Sequence, residues 1–460
     1  MNILILGAGQ VGTTAAYSLA REEANEVTIV DRNPDVLREL QDRLDVRTVV
    51  GNASYPDVLE RAGGKDADMI IALTDSDEIN MLSCQIAHVL FRTPTRIARI
   101  RAREFIDRGD KLFGPERIPV DVAISPASLV TDYIEQLIHF PGALQVLDFA
   151  DGRLRLVAAR AHRGGALIGR PLRELPHHVP NVECRVVAIF RGDSGIIPDG
   201  DTVVEEGDEV FFIAARDDIR KVLREVRKLD DPVHRVVIAG GGHIGLQLAR
   251  ALEDEAHVKV IERGRDRAKA ISERLDKAIV LHGDAADEEL LLEENIDSAD
   301  VFVAVTNAEE ANILSAMLAK RLGARKVMAL INKPAYAELV EAGTIDIAIS
   351  PQQITLGTLL AHVRKGDVVK VHSLRRGAAE AIEAVAHGDA RESRVVGRRI
   401  EEIKLPKGAS ISAIVRGDEV LMAHHDTEIQ ADDHVILFIA DARQIDEVER
   451  LFEVGARAGL

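Results

Sequence analysis

Sliding this sequence along itself by about 232 residues brings one half into register with the other, and that duplication constrains the fold more than any other feature. ILILGAGQVGTTAA at 3–16 faces VVIAGGGHIGLQLA at 236–249, VTIVDR at 27–32 faces VKVIER at 258–263, and GNAS at 51–54 faces GDAA at 283–286. ADMIIALTDSDEIN at 67–80 lies over ADVFVAVTNAEEAN at 299–312, VDVAISP at 120–126 over IDIAISP at 345–351, and IFRGD at 189–193 over IVRGD at 414–418. The chain of 460 residues is therefore two copies of one unit.

Within the first copy, short apolar runs at 3–6, 27–30, 46–50, 69–73 and 96–100 alternate with helical patterns at 11–22, 34–44, 55–62 and 78–91. Such alternation predicts a parallel sheet covered by helices. Pro34, directly after Asn33, marks a helix start and so fixes where the preceding strand has ended. Near 140, and again near 367, the texture changes to Val/Ile/Phe strands broken by RGDSG, PDGD and EEGDE. These turn signals predict that each half closes with a small strand-rich α+β domain. Between the two parts, a helix after Pro126 carries Leu129, Val130, Tyr133, Ile134, Leu137 and Ile138 on one broad face and stops at Pro141-Gly142. That face needs a partner: its own sheet, or another body reached by a crossover or dimer helix, the reading that the recurrence at 354–363 favours.

Gly7-x-Gly9-x-x-Gly12 follows an apolar strand and opens a helix, the context in which such a loop holds a pyrophosphate on helix-terminal N–H groups. The first glycine permits the tight turn, the second lets phosphate approach the backbone, and the third lets helix pack on strand. Asp31 ends the next strand, where a carboxylate binds ribose hydroxyls and repels a 2′-phosphate; NAD(H) is favoured over NADP(H), and ATP and ADP, whose ribose offers the same two hydroxyls, are not excluded. The second copy repeats the pattern as Gly240-x-Gly242-x-x-Gly245 with Glu262. His243 replaces Gln10 in the loop and is assigned no chemistry. Thr74-Asp75 and Thr306-Asn307 close the fourth run, at the strand end where ligands collect; they are candidate contacts or, alternatively, caps of the following helix. Arg99 ends the fifth run within reach of phosphates, and the sequence register sets Ala329 opposite it, so the two sites are not equivalent.

Composition removes several classes. A net charge of -18 argues against nucleic acid and anionic lipid, while it suits the basic cytoplasmic loops of a membrane protein. No apolar run approaches the ~18 to 20 residues of a membrane span, and MNILILGAG lacks the marks of a signal peptide; the expected location is the cytoplasm. Cys84 and Cys184, the two cysteines, read as small core residues. His177-His178 and His424-His425 read as loop residues, since neighbours on a strand face opposite ways and no spaced third metal ligand follows. No GxxxxGK[ST] loop and no His, Lys or Tyr acid/base set for hydride chemistry is found. The expectation is a sensor rather than an enzyme; an NAD-dependent oxidoreductase is the main alternative, and a free-standing nucleotide-binding scaffold the third.

The order GAGQVG, VDR, GNAS, ALTDSDEIN, RIARIR, ISP, PGALQV, IERG, GDA, AVTNAEEANILSAMLAKRLGA, IDIAISPQQ and VHSLRRGAAEAIEAVAHGD resembles, over essentially the whole chain, the TrkA family of Trk potassium uptake systems. The resemblance implies two tandem units, each a Rossmann-like RCK (regulator of potassium conductance) N-terminal domain and a smaller α+β RCK C-terminal domain. On this sequence they fall at 1–123 and 143–228, then 233–348 and 368–453, with crossover helices at 124–142 and 349–367. It further implies binding of NAD(H) or ATP/ADP, a homo-oligomeric ring of four chains, and docking beneath an integral membrane potassium-conducting subunit, without membrane insertion of its own. The family's nucleotide contacts map onto Gly7, Ala8, Gly9, Gln10 and Val11, Asp31, Thr74, Asp75 and Arg99. In the second unit they map onto Gly240, Gly241, Gly242, His243, Ile244 and Gly245, and Glu262; Gly12 and Asn52 complete the candidate set.

Overall fold

In the computed structural model, the described residues are 1–21, 25–192, 194–226, 231–333, 335–337, 344–363, 367–374, 379–440 and 444–453. Residue 22 of the first expected helix, 227–228 of the first C-terminal domain and 364–366 of the second crossover segment lie outside them, as do 375–378 and 441–443. The first part of the chain forms β1 (Asn2–Leu6), α1 (Gln10–Leu19), β2 (Glu26–Asp31), α2 (Pro34–Gln41), β3 (Arg47–Val50), α3 (Pro56–Arg61), β4 (Met69–Ala72), α4 (Asp77–Ile86), β5 (Thr95–Arg99) and β6 (Val122–Ile124). The strands lie in the order β3-β2-β1-β4-β5-β6, each neighbour parallel. Every side chain of β4 is buried, as expected of a central strand covered on both faces. Asn33 caps α2 by accepting the Asp35 N–H, with Pro34 in the first turn.

After the first crossover helix, Pro126–His139, come β7 (Ala143–Phe149), β8 (Leu154–Arg160), β9 (Cys184–Arg191), β10 (Ser194–Ile196) and β11 (Glu209–Ala215) in an antiparallel sheet of order β10-β9-β11-β8-β7. The second copy repeats the plan. Its parallel sheet contains β12 (Arg235–Ala239), β13 (His257–Glu262), β14 (Ile279–His282), β15 (Val301–Ala304), β16 (Lys326–Leu330) and β17 (Ile347–Ile349), ordered β14-β13-β12-β15-β16-β17. The second crossover helix, Pro351–Val363, leads to β18 (Val368–Leu374), β19 (Ala379–Ala386), β20 (Ala409–Arg416), β21 (Glu419–Met422) and β22 (Asp433–Ile439), ordered β18-β19-β22-β20-β21. The two antiparallel sheets share one core, in which Phe149, Leu156 and Phe211 join Leu374, Ile436 and Phe438.

Two compact units divide the chain inside both crossover helices: Met1–Val130 with Pro351–Leu359, and Thr131–Ser350 with Leu360–Leu460. In the first unit Thr14 Oγ1, on α1, donates to Gln352 Oε1 at 2.8 Å. A helix from the second copy thus touches the helix that begins at the first glycine loop.

Against the shared core of the C-terminal sheets packs His372, partly buried, whose ring meets Phe149 edge-on with centroids 5.0 Å apart. Burial, with Lys370 nearby, pushes its pKa from 6.5 down to about 4. A folded-state pKa below the unfolded one means the unfolded chain binds the proton first, so stability is lost as pH falls from 6.5 through about 4. The loss is expected to reach about 3 kcal/mol. Urea melts at pH 7, 5.5 and 4 should show a shallower acid decline for His372→Gln than for wild type; parallel declines count against an imidazole held neutral in the fold.

Candidate functional site

Both glycine loops are built by backbone geometry that other residues cannot copy. Gly7 sits at φ +100°, and a Cβ on Gly12 would lie 1.9 Å from the Gly7 carbonyl oxygen. The same 1.9 Å separates a Cβ on Gly245 from the Gly240 oxygen, with Gly240 at φ +112°. Gly9 differs, because a Cβ there meets nothing within 4 Å. This is the open side of the loop. Neither α1 nor the equivalent helix His243–Leu252 has a side-chain N-cap or an acid in its first turn, whereas α2 and α4 are capped by Asn33 and Ser76. The first-turn N–H groups at the two loops therefore face outward without an internal acceptor from a capping side chain, the arrangement that takes an anion.

The acids at the ends of β2 and β13 have a structural task that their position alone did not disclose. Asp31 Oδ2 accepts the Ala8 N–H at 2.6 Å and Oδ1 the Asn33 N–H at 2.8 Å. Glu262 does the same with the N–H groups of Gly241 at 2.8 Å and Gly264 at 2.7 Å. Each carboxylate thereby ties its glycine loop to the loop after the next strand. Both remain partly exposed, and a carboxylate has about four acceptor positions, so capacity is left for ribose hydroxyls.

Further along the same strand ends, Thr74 donates both its N–H and its hydroxyl to Asn80 Oδ1, at 2.9 and 2.7 Å. The Asn80 amide donates in turn to the carbonyls of Thr74 at 3.2 Å and Arg99 at 2.9 Å. Asn80 is fully buried and joins the ends of β4 and β5. Thr306, Asn312 and Leu330 repeat this network, with the amide donating to the Thr306 and Leu330 carbonyls at 3.0 and 3.1 Å. The cap of α4 is Ser76, which accepts the Ile79 N–H, rather than Thr74; Asp75 stands exposed. Asn52 Oδ1 accepts the N–H and hydroxyl of Ser54, shaping the turn after β3. A second pair of acids missed in the sequence completes the frame. Asp77 accepts the N–H groups of Arg101 and Ala102, and Glu309 those of Asn332 and Lys333.

Arg99 lies half-buried at the end of β5, and its Nε finds no hydrogen-bond partner among the described residues. Burial lowers its pKa, helped by Arg101 and opposed by Asp77 and Asp75. A desolvated guanidinium with an unused donor is suited to an anion. Its counterpart requires a correction. Arg99 pairs with Ile124 and Leu330 with Ile349, while Ala98 and Ala329 both pair one strand inward, with Ala72 and Ala304. Leu330, not Ala329, therefore stands where Arg99 does. His243, at the start of its helix, is exposed, and Gln10 likewise.

Other expectations also change. His177 and His178 end a short helix, Leu175–His178, instead of a strand or loop, and His178 Nδ1 pairs with Glu225 at 3.1 Å. No cluster of three metal-ligating side chains occurs among the described residues. Cys84 is buried, its thiol pushed up to about 12 by burial, but Cys184 is only partly buried, so the core reading fails for it.

A six-stranded parallel sheet with an open glycine loop and an acid at the end of its second strand, followed by an antiparallel domain and then repeated, defines a protein of two tandem Rossmann-type units. The chain belongs to the TrkA family: residues 3–126 and 236–351 match the TrkA-N domain, and 156–227 and 390–453 the TrkA-C domain. It is 58% identical over 455 residues to the Trk system potassium uptake protein TrkA of Halomonas elongata, covering 99% of each chain. It is 56% identical to that of Vibrio alginolyticus, covering 98% of this chain and 99% of the relative. Among solved structures, the GsuK RCK domain matches with TM-score 0.61 at 18% identity, covering 98% of this chain and 94% of that one. The GsuK channel bound to NAD matches with TM-score 0.61 at 18% identity, covering 98% and 79%.

Proposed function

We propose that this chain is the nucleotide-binding regulatory subunit of a Trk-type potassium uptake system, acting as a ring of four copies on the cytoplasmic side of a membrane-embedded conducting subunit. Family membership supports the system, since the full-length relatives are Trk potassium uptake proteins. The likeness to a channel solved with NAD supports the ligand class. No helix among the described residues is long and apolar enough to cross a membrane, which is consistent with an attachment made through a protein partner. Family membership does not favour the oxidoreductase alternative.

The observation that carries the mechanism is the Thr14–Gln352 hydrogen bond within the first unit. It lies about one turn from the phosphate-binding end of α1, so a nucleotide that pulls on that end shifts what the second crossover helix rests on. A ligand moves such an equilibrium only through different affinities for the two states. About 1.4 kcal/mol of coupling at each of four equivalent sites sums to about 5.6 kcal/mol, enough to switch nearly the whole population. Asp31→Ala is expected to weaken nucleotide binding at the first site at least about tenfold and to blunt the nucleotide response of potassium uptake. Calorimetric titration with NADH, NAD⁺, ATP and ADP, paired with uptake in membrane vesicles, checks both. Unchanged nucleotide response in Asp31→Ala sinks the account.

A further inference from the structure

The polar side of the first crossover helix faces a cavity far from either glycine loop in the sequence. Asp132, Glu135, Gln136 and His139 recur at helical spacing, away from the apolar residues of the same helix, and line a cavity of about 560 Å³. β7 and β8 supply Asp148 and Arg155, and the chain leaving β11 supplies Arg216, Asp217 and Arg220. All of these residues belong to the second compact unit. The volume lies within the ~300 to 1,000 Å³ of small-molecule sites. Its lining is mostly charged, so a molecule that fits it is charged as well.

Internal pairing leaves part of that charge unspent. Arg155, with 5% of its side chain exposed, gives Nε and Nη2 to Asp148 at 2.5 and 2.7 Å. Its guanidinium and that of Arg220 lie 4.6 and 5.1 Å from the centre of the Phe140 ring. Gln136 donates to Asp148 at 3.2 Å, His139 Nε2 meets Glu255 at 2.8 Å, and Arg220 donates one N–H to the His139 carbonyl at 3.1 Å. The side chains of Asp132, Glu135, Arg216 and Asp217 form no hydrogen bond or ion pair with any described residue. Partial burial raises the pKa of Asp132, and it raises that of Glu135 too, opposed by His139 and helped by Asp132 and Glu255. Acids drawn from water without a cation beside them behave in this way. Four carboxylates face three guanidiniums in the lining, which leaves one negative charge over.

The second copy shows that the fold itself does not require these groups. Pro126 and Pro351 open the two crossover helices, which sets Gly357 and Leu360 at the places of Asp132 and Glu135. Strand pairing sets Ser373 and Glu380 where Asp148 and Arg155 face each other. Asp446, second in the helix Ile445–Phe452, answers Arg220, second in Ile219–Val226. The same architecture is thus built without the constellation.

We propose that this cavity binds a basic α-amino acid, its carboxylate at Arg216 and Arg220 and its cationic groups at Asp132, Glu135 and Asp217. An ammonium group offers three N–H donors to carboxylates that have none, and the single positive net charge of such a ligand cancels the charge left over. A dicarboxylate would meet the unpaired acids, and a polyamine would leave the arginines facing a cation. A quaternary ammonium needs an open aromatic face, whereas Phe140 is buried beneath two guanidiniums. The occupant would bridge the second half of the crossover helix and the antiparallel sheet that follows it.

Calorimetry and thermal melts on the full chain with lysine, arginine, glutamate and 1,5-diaminopentane test the proposal. Lysine or arginine should bind at one site per chain and raise the melting temperature. Glutamate and 1,5-diaminopentane, which lack the second cation or the carboxylate, should bind at least about tenfold more weakly. Glu135→Gln and Arg216→Gln should each weaken lysine about tenfold, with melts of the ligand-free variants confirming that both fold. Gly9→Ala, in the other compact unit, should leave lysine binding unchanged. The proposal is overturned if folded wild type binds neither basic amino acid, if 1,5-diaminopentane or glutamate binds as tightly as lysine, or if either Gln variant keeps wild-type affinity. None of these outcomes touches the nucleotide reading, whose ligands and residues are different.

Discussion

Alanine at position 12 should prevent the first Rossmann sheet from closing on α1, at a cost of about 3 kcal/mol or more. Its methyl would stand 1.9 Å from the Gly7 oxygen and 3.0 Å from the Gly7 carbonyl carbon. Neither atom can retreat. Gly7 is already within 3.0 Å of the Leu73–Thr74 backbone at its own Cβ position, and its N–H is bonded to the Val30 oxygen at 2.8 Å. The helix has to lift from β1, uncovering Ala15, Ala16 and Leu19, all fully buried. Gly9→Ala makes the contrasting case, since φ there is -70° and the added methyl meets no protein atom within 4 Å. It should fold within about 1 kcal/mol of wild type, yet lose nucleotide affinity at least about tenfold, because the methyl fills the approach to the helix N–H groups. Thermal melts with limited proteolysis, set beside calorimetry, separate the two effects. Wild-type affinity in Gly9→Ala would falsify the placement of phosphate at this loop.

Glu383→Ala should cost about 3 kcal/mol in the paired C-terminal domains, since it removes the acceptor of the buried Ala150 N–H and the partner of the part-buried His434 ring. Glu383 is 2% exposed; its Oε2 accepts the Ala150 N–H at 2.9 Å, and its Oε1 lies 2.6 Å from His434 Nδ1. Ala150 and Asp151 stand at φ 47° and 55°, left-handed values that side chains with a Cβ adopt at a cost of ~1 to 2 kcal/mol each. The carboxylate anchors that turn. Glu383→Gln keeps an acceptor for the Ala150 N–H and should lose roughly half as much. Ala150→Gly should return about 1 kcal/mol to the Glu383→Ala background by relieving the turn. Urea titration of the four proteins checks the order; equal midpoints for Glu383→Ala and wild type remove the anchor from the account.

The duplicated framework was legible because glycine turns, strand-end acids and apolar runs are local patterns that survive in both copies. Pro34 after Asn33 marked a helix start that the structure reproduces, cap included. The Asn80 and Asn312 networks were not read, since a lone asparagine inside a helical apolar pattern looks like a solvated position. Its one signal was the repeated spacing from Thr74 and Thr306, which is the same in both copies. The slip from Leu330 to Ala329 has another origin. The offset between copies is 233 at Gly12 and Gly245, 232 at Thr74 and Thr306, and 231 at Arg99 and Leu330, so only strand pairing fixes it. The apolar face at 129–138 showed that a partner was required, and no local pattern could say which body supplied it.

Because the division between the compact units runs through both crossover helices, neither half of this polypeptide is a self-sufficient piece. A single cut near residue 230 would leave the front half without the segment 351–359 that completes its unit, and the rear half without everything from 131 to the cut. Fragments made that way should regain their form only by finding each other. A gene carrying one half alone would have to meet the same need with a second molecule.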